Sequence, residues 1–62
     1  MKIEKGEVYK HYNGAKYIVL DIAYMESNQE EMIVYTEWPV KDEHYMAWIR
    51  PPHEFEEKFK PV

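Results

Sequence analysis

The segment KYIVLDIAYM, residues 16–25, decides the fold of this chain. It is rich in β-branched and aromatic residues and contains few helix formers, which favours a long β-strand. Its apolar side chains occupy both faces, since Tyr17 and Val19 fall on one face and Ile18 falls on the other. One explanation is a strand that is buried on both sides. The one favoured for so small a domain is a bend or bulge near residues 20–21, because it lets one strand serve both halves of a curled sheet.

Turns flank this strand at short intervals, as is typical of an all-β domain. Residues 7–12 (EVYKHY) predict a first strand before it. Asn13 and Gly14 then predict a two-residue hairpin loop in a type I′ turn, which needs positive φ at both central positions. The polar run at 26–30 predicts the next turn, and residues 31–38 (EMIVYTEW) predict a third strand.

The C-terminal half predicts one more strand and a helix. Pro39 ends the third strand, residues 41–44 form a charged loop, and residues 45–50 (YMAWIR) predict a short fourth strand. Two prolines then end the sheet, and residues 52–59 predict a short helix in which two phenylalanines four positions apart share one face. This helix is expected to cover one open end of the sheet, and residues 1–5 are expected to be a flexible N-terminus.

Residues 1–62 therefore predict a single all-β domain of about four to five strands with a short C-terminal helix. The side chains expected in its core are Tyr9, Tyr17, Val19, Leu20, Val34, Trp48, Ile49, Phe55 and Phe59. The rings expected at its surface are Tyr12, Tyr24, Trp38 and Tyr45.

Size and composition limit what can hold this domain together. A chain of 62 residues buries about 60% of the surface that its unfolded form exposes, so its core is thin. It has no cysteine, which excludes disulfides and thiolate metal sites. Its six Tyr, two Trp and two Phe favour aromatic packing instead, because each ring buries a large area while fixing few torsions. An exposed strand edge and a thin core would also benefit from pairing in a homodimer.

Net charge and hydropathy narrow the class of partner. A net charge of −4 and a single arginine do not provide the clustered cations that nucleic acid requires, and a small lysine cluster within residues 1–20 is the one feature in favour of it. No apolar run reaches the length of a membrane span, and the N-terminus lacks the apolar segment that a secretory signal contains. The sequence therefore predicts a cytoplasmic protein without membrane contact, which binds a protein, a peptide or a small anionic ligand.

A set of residues spread over most of the chain resembles a known family. It comprises Gly6, Tyr9, His11, Tyr12, Gly14, Tyr17, Val19, Leu20, Ala23, Val34, Tyr35, Trp48, Ile49, Arg50, Pro51 and Phe55. In this combination the pattern resembles the small bacterial domain of unknown function family 1653. The resemblance implies an SH3-like β-barrel and no assigned biochemical activity. Tyr24 departs from it, because the family usually has a His there, and any chemical role of that His would be missing here.

Side chains able to do chemistry are few. His11, His44 and His53 lack the spacing of metal ligands and have no cysteine to support them, so they predict no metal site. The nucleophiles are limited to Ser27, in a polar turn, and Thr36, which is a poor supply. The sequence therefore predicts no catalytic residue, no cofactor and no enzymatic activity, and a chain too small to enclose a typical pocket favours the same conclusion.

Arg50 is the most informative charged residue, since it is the only arginine and precedes two prolines. Two interpretations are open. Its guanidinium can contact an anion or a ligand beside rings such as Trp48 or His11. It can instead fasten the helix to the sheet through an ion pair with Glu54 or Asp21.

The sequence predicts a non-enzymatic binding module that presents an aromatic face with Arg50 and His11 as polar contacts. The residues assigned to this face are His11, Tyr12, Tyr35, Trp38, Trp48 and Arg50. The alternative is a minimal enzyme, or a binder of a small anionic ligand, with its site at a subunit interface.

Overall fold

The computed structural model describes residues 2–41 and 45–62. Its elements are β1 (Val8–His11), β2 (Lys16–Tyr24), β3 (Glu31–Glu37), β4 (Trp48–Arg50), α1 (Pro52–Lys58) and β5 (Phe59–Pro61). All ladders are antiparallel, and the strands join in one sheet in the order β4-β3-β2-β1-β5. The predicted all-β class is confirmed. Apart from Lys41, the charged loop predicted at 41–44 lies outside the described residues, and so does His44.

The bulge that the sequence predicts in β2 is present. Val19 pairs with Tyr35 while Asp21 pairs with Val34, so Leu20 is the extra residue in the ladder. An extra residue reverses the alternation of side chains between the two faces. Ile22 therefore packs against the same core as Val19, although three positions separate them.

The first hairpin differs from the predicted two-residue turn. Its loop has three residues, Tyr12, Asn13 and Gly14, and the backbone N–H of Gly14 donates to the carbonyl of His11 at 2.8 Å. Of the two predicted positive-φ residues only Gly14 has one, at 101°, as in a type I turn followed by a bulge. Asn13 stabilises this longer loop, because its Oδ1 accepts a hydrogen bond from the N–H of Ala15 at 2.9 Å.

The chain leaves the helix at Phe59 and continues as a strand. Phe59 has extended angles, φ −123° and ψ 144°, and pairs with His11 of β1. The sequence analysis extended the helix to residue 59 and assigned no strand after it. Pro61 is tolerated because β5 lies at an edge of the sheet, where a missing backbone donor disturbs no second ladder.

The sheet stays open, because no ladder joins β4 to β5 in the part of the chain that the structure describes. The predicted SH3-like barrel is therefore represented by an open five-stranded sheet with α1 packed against β3 and β5. We call the sheet face that α1 covers the inner face and the opposite one the outer face. Among the described residues, no helix is both long and apolar enough to cross a bilayer.

The core lies between the inner face and α1. It consists of Ile3, Tyr9, Val19, Ile33, Tyr35, Phe55 and Phe59. Its rings meet edge to face, except that Phe55 and Phe59 stack with centroids 4.2 Å apart. Ile3 shows that the N-terminal segment contributes to this core.

Two residues that the sequence analysis placed in the core lie at the surface. Trp48 is 46% exposed and Ile49 is 56% exposed. Both belong to β4, the edge strand next to β3, where neither α1 nor another strand covers them. Tyr35, which was assigned to the binding face, is buried instead, because Phe55 and Phe59 pack against its ring.

Tyr9 gives the fold a pH dependence. Its Oη donates a hydrogen bond to Glu7 Oε1 at 3.0 Å. The pKa of Tyr9 is raised from 10.0 to about 12, mainly by burial, and the hydrogen bond to Glu7 and the negative charge of Glu7 contribute in the same direction. Since the folded state favours the neutral hydroxyl, this contribution to stability is complete below about pH 10 and is lost as the pH rises through about 12.

We therefore expect the free energy of unfolding to fall more steeply between about pH 10 and pH 12 in the wild type than in Tyr9→Phe, which has no hydroxyl to ionise. Urea unfolding followed by circular dichroism at a series of pH values measures this slope. Tyr24→Phe, a substitution in an exposed ring, serves as the control and should keep the wild-type slope. Equal slopes for the wild type and Tyr9→Phe would contradict the account.

Candidate functional site

Large exposed apolar side chains are concentrated in one segment of the chain. Residues 38–49 contribute Trp38, Val40, Tyr45, Met46, Trp48 and Ile49. The remaining exposed ones among the described residues, at Tyr12, Tyr24, Met25 and Val62, are scattered over the chain. All of the six in this segment except Ile49 line one recess, and a soluble monomer rarely leaves a contiguous apolar surface of this kind unless it serves an interaction.

The first recess on this surface is an apolar groove of about 400 Å³. It is lined by Thr36, Glu37, Trp38, Pro39, Val40, Lys41, Tyr45, Met46 and Trp48. The buried Thr36 fixes its floor, because Thr36 Oγ1 donates a hydrogen bond to the carbonyl of Met46 at 2.7 Å. This bond ties the segment before β4 to the end of β3 and so holds the two sides of the groove together.

The second recess is an aromatic cleft of about 220 Å³. It is lined by His11, Tyr17, Tyr35, Trp48, Arg50 and Phe59. Trp48 lines both recesses, so the apolar groove and the aromatic cleft meet at its side chain. Trp48 and Arg50 are two positions apart in β4 and therefore point to the same face of the sheet.

Arg50 has partners within the domain, and they leave its guanidinium partly available. Its Nε donates a hydrogen bond to Tyr35 Oη at 2.9 Å, and its Nη1 lies 3.6 Å from Glu54 Oε1. The two charged side chains are 32% and 46% exposed, and ion pairs at such exposure are worth about 0–1 kcal/mol. The structure thus confirms that Arg50 connects β4 to α1 through Glu54, and because Arg50 also lines the cleft, its contact with a ligand stays a prediction. Asp21 is not its partner.

His11 occupies the rear of the cleft as part of an aromatic cluster. Its ring lies 4.8 Å from that of Phe59 and 6.2 Å from that of Tyr17, between ring centroids. Its Nδ1 accepts a hydrogen bond from the N–H of Asn13 at 3.2 Å, so the neutral ring carries its proton on Nε2. His11 can therefore donate one hydrogen bond while its ring supports the wall of the cleft.

The structure brings four of the six predicted binding residues together. His11, Tyr35, Trp48 and Arg50 line the aromatic cleft, with Tyr35 contributing through its hydroxyl from a buried position. Trp38 lines the apolar groove and reaches the others through Trp48. Tyr12 lines neither recess, although its ring centroid lies 4.3 Å from that of His11.

The sequence analysis missed part of the groove. Pro39, Val40 and Met46 line it but were not assigned to the binding face. The available indication was the cluster of apolar residues on both sides of the charged sequence segment 41–44. Tyr17 and Phe59 were assigned to the core and also form walls of the cleft.

Histidines and acidic residues do not come together around a metal site in the described ranges. Within residues 2–41 and 45–62, no group of three or more His, Cys, Asp or Glu side chains could hold an ion. His53 lies at the start of α1, with its Nε2 4.0 Å from Glu54 Oε2, far along the chain from His11.

Comparison with known proteins gives one match. The sequence model of a family described as "Protein of unknown function (DUF1653)" matches residues 7–61. No curated protein matches the chain, and no solved structure does.

Proposed function

Because the chain belongs to the DUF1653 family of proteins of unknown function, we propose a function from its surface: a non-enzymatic binding module for an extended peptide segment of a partner protein. The peptide lies along the apolar groove and the aromatic cleft, with Trp48 at the junction. The observation that carries the proposal is the sharing of Trp48 by the two recesses, which makes one elongated site of them.

The position of β4 supports an extended ligand. β4 is an edge strand that pairs with β3 on one side, and no described strand pairs with its other side. A peptide can add to such an edge through backbone hydrogen bonds, while alternate side chains enter pockets beside it. Residues two positions apart in that peptide lie about 7 Å from each other on one face, which matches the spacing of Trp48 and Arg50.

Arg50 supports an acidic residue in the peptide. Its exposed ion pair with Glu54 is weak, so a carboxylate from the ligand can replace or share that contact at little cost. A guanidinium binds a carboxylate through two parallel hydrogen bonds when its geometry permits. The preferred peptide therefore carries an apolar side chain beside Trp48 and an acidic side chain two positions away, beside Arg50.

Selection from a random peptide library displayed on phage tests this proposal. The immobilised wild-type domain should enrich peptides in which an apolar and an acidic residue are separated by one position, in either direction. The control is the double variant Trp38→Ala/Trp48→Ala, which should enrich no such pattern. Failure of the wild type to enrich peptides, or enrichment of peptides without the acidic residue, would overturn the proposal.

The aromatic cleft alone favours a second candidate, a small carboxylate ligand, since Arg50 lies in its lining. If benzoate binds the wild-type domain and no displayed peptide is enriched, the small carboxylate ligand is favoured over the peptide.

Sedimentation of the free domain adds a further distinction. A homodimer formed through β4 would occupy the edge and contradict the peptide proposal. A strict monomer would contradict the alternative of an enzyme site shared between subunits.

We propose that the module is located in the cytoplasm. The absence of cysteine is compatible with this location.

A further inference from the structure

Three lysines form a row across the sheet. Lys10 of β1 is directly opposite Lys16 of β2 and, on its other side, directly opposite Lys60 of β5. Residues directly opposite each other in antiparallel strands share a face, with Cβ atoms about 5 Å apart. All three side chains are exposed, and they point to the outer face, away from Tyr9 and the core.

A fourth lysine and an exposed ring extend this row at one corner. The backbone N–H of Tyr12 donates to the carbonyl of Lys58 at 3.0 Å, two positions beyond the pair of Lys10 and Lys60. Lys58 Nζ lies 5.7 Å from the centre of the Tyr12 ring, and Tyr12 is 78% exposed. We call Lys10, Lys16, Lys58, Lys60 and Tyr12 the lysine face.

The charge of this face is not neutralised within the domain. The lysine face contains four of the eight cationic side chains of a chain whose net charge is −4. No ion pair joins any of its lysines to a carboxylate of the described residues. Like charges directly opposite each other in a sheet destabilise it, so the pairs of Lys10 with Lys16 and with Lys60 work against folding. Such an arrangement is explained by a polyanionic partner that releases counterions from it.

We propose that the lysine face binds single-stranded nucleic acid, with its lysines on the phosphates and the Tyr12 ring stacked on a base. The exposed Tyr12 ring distinguishes between the possible polyanionic partners. The charged carboxylates of an acidic polypeptide have no flat face that stacks on a ring, and a duplex keeps its bases stacked on each other. Single strands combine phosphates with accessible base faces, and proteins bind them through cations interleaved with aromatic rings.

The overall charge of the chain does not oppose this assignment. Screening limits the effect of exposed charges to about 10 Å at moderate salt, so a local row of lysines governs a local contact. No residue of the lysine face lines the groove or the cleft, so the two proposals can fail separately. The groove and the lysine face approach each other at Trp38, because the backbone N–H of Trp38 donates a hydrogen bond to the carbonyl of Lys16 at 3.0 Å.

Fluorescence anisotropy with a labelled oligothymidylate of about ten nucleotides tests the proposal. A contact of four lysines with a single strand predicts a slope of log K against log salt of about −2.8, from four contacts at about −0.7 each. Absence of binding at low salt, or a slope near zero, would overturn it. Polyglutamate that competes as well as unlabelled oligothymidylate at equal charge would also overturn the assignment to nucleic acid.

Matched variants locate the contact. Lys10→Gln and Lys16→Gln should each reduce the steepness of the slope by about 0.7, whereas Lys5→Gln, which precedes β1 and lies outside the lysine face, should leave it unchanged. Tyr12→Ala should weaken binding about tenfold with the slope preserved, because stacking is not ionic.

Lys10→Gln should also raise the melting temperature, because it removes two like-charge pairs. A loss of binding in this variant therefore cannot come from unfolding. Equal effects of Lys5→Gln and Lys10→Gln would contradict the proposal.

Discussion

Phe55→Ala is expected to lower the free energy of unfolding by about 3–5 kcal/mol, which is most of the stability that a domain of this size possesses. Phe55 is 1% exposed and lies at the centre of the ring cluster. It stacks on Phe59 at 4.2 Å and meets Tyr9 and Tyr35 edge to face at 5.1 Å and 5.2 Å. Its removal opens a cavity between α1 and the sheet that no neighbouring side chain can fill.

Urea unfolding followed by far-ultraviolet circular dichroism measures this loss. Ile49→Ala provides the control, because it deletes an apolar side chain that is exposed and should cost less than about 1 kcal/mol. A loss below about 1 kcal/mol in Phe55→Ala would contradict the assignment of the core to the interface between α1 and the inner face.

Trp48→Ala is expected to weaken the binding of a selected peptide by about 30-fold or more, corresponding to at least about 2 kcal/mol. The side chain of Trp48 is the part of the surface that touches both recesses, so a ligand that crosses from one to the other buries it. Tryptophans buried at the centre of an interface are typical of the few residues that contribute most to affinity. Isothermal titration calorimetry with one selected peptide gives the dissociation constants.

The neighbouring Ile49 offers a matched control for this change. Ile49 belongs to the same strand but points to the opposite face, so Ile49→Ala leaves both the backbone of β4 and the binding face intact. Its dissociation constant should stay within about twofold of the wild type. Equal losses in Trp48→Ala and Ile49→Ala would indicate a general disturbance of β4 in place of a contact with the ligand.

Local patterns predicted the strands of the fold well where the sheet is covered. The broken alternation in residues 16–25 predicted the bulge in β2, because only an extra residue reconciles Val19 and Ile22 with one core. The spacing of Phe55 and Phe59 likewise predicted their shared face, although Phe59 already belongs to β5. These features depend on residues close together in the sequence.

Features that depend on distant elements could not be predicted in this way. The alternation in β4 separates Trp48 from Ile49, but it does not say whether anything covers either face, and at this edge nothing does. Strand β5 is three residues long and contains a proline, so its own sequence is a weak indication, and it exists because β1 is available for pairing. The three-residue hairpin depends on the hydrogen bond that Asn13 Oδ1 accepts from the N–H of Ala15, which favours this loop over the simpler turn.

The candidate site shows the same division. The aromatic and charged residue types directed attention to Trp48, Arg50 and His11, and the fold brings these three into one cleft. It could not be foreseen that Tyr35 would contribute its hydroxyl from within the core. The lysine face was hidden as well, because its four lysines come from three different parts of the chain and become neighbours only in the folded sheet.

The central claim is that one continuous face around Trp48 receives a peptide, and the two tryptophans of the chain report on it directly. Trp38 lines the groove and Trp48 lines both recesses, so each indole N–H belongs to the proposed face. In a ¹H–¹⁵N correlation spectrum, with Trp38→Phe and Trp48→Phe used for assignment, titration of a selected peptide should shift both indole resonances together with the backbone amides of β4. Saturation of the peptide with both indole resonances unmoved, and with shifts confined to Ile22, Tyr24 and their neighbours around α1, would contradict the account.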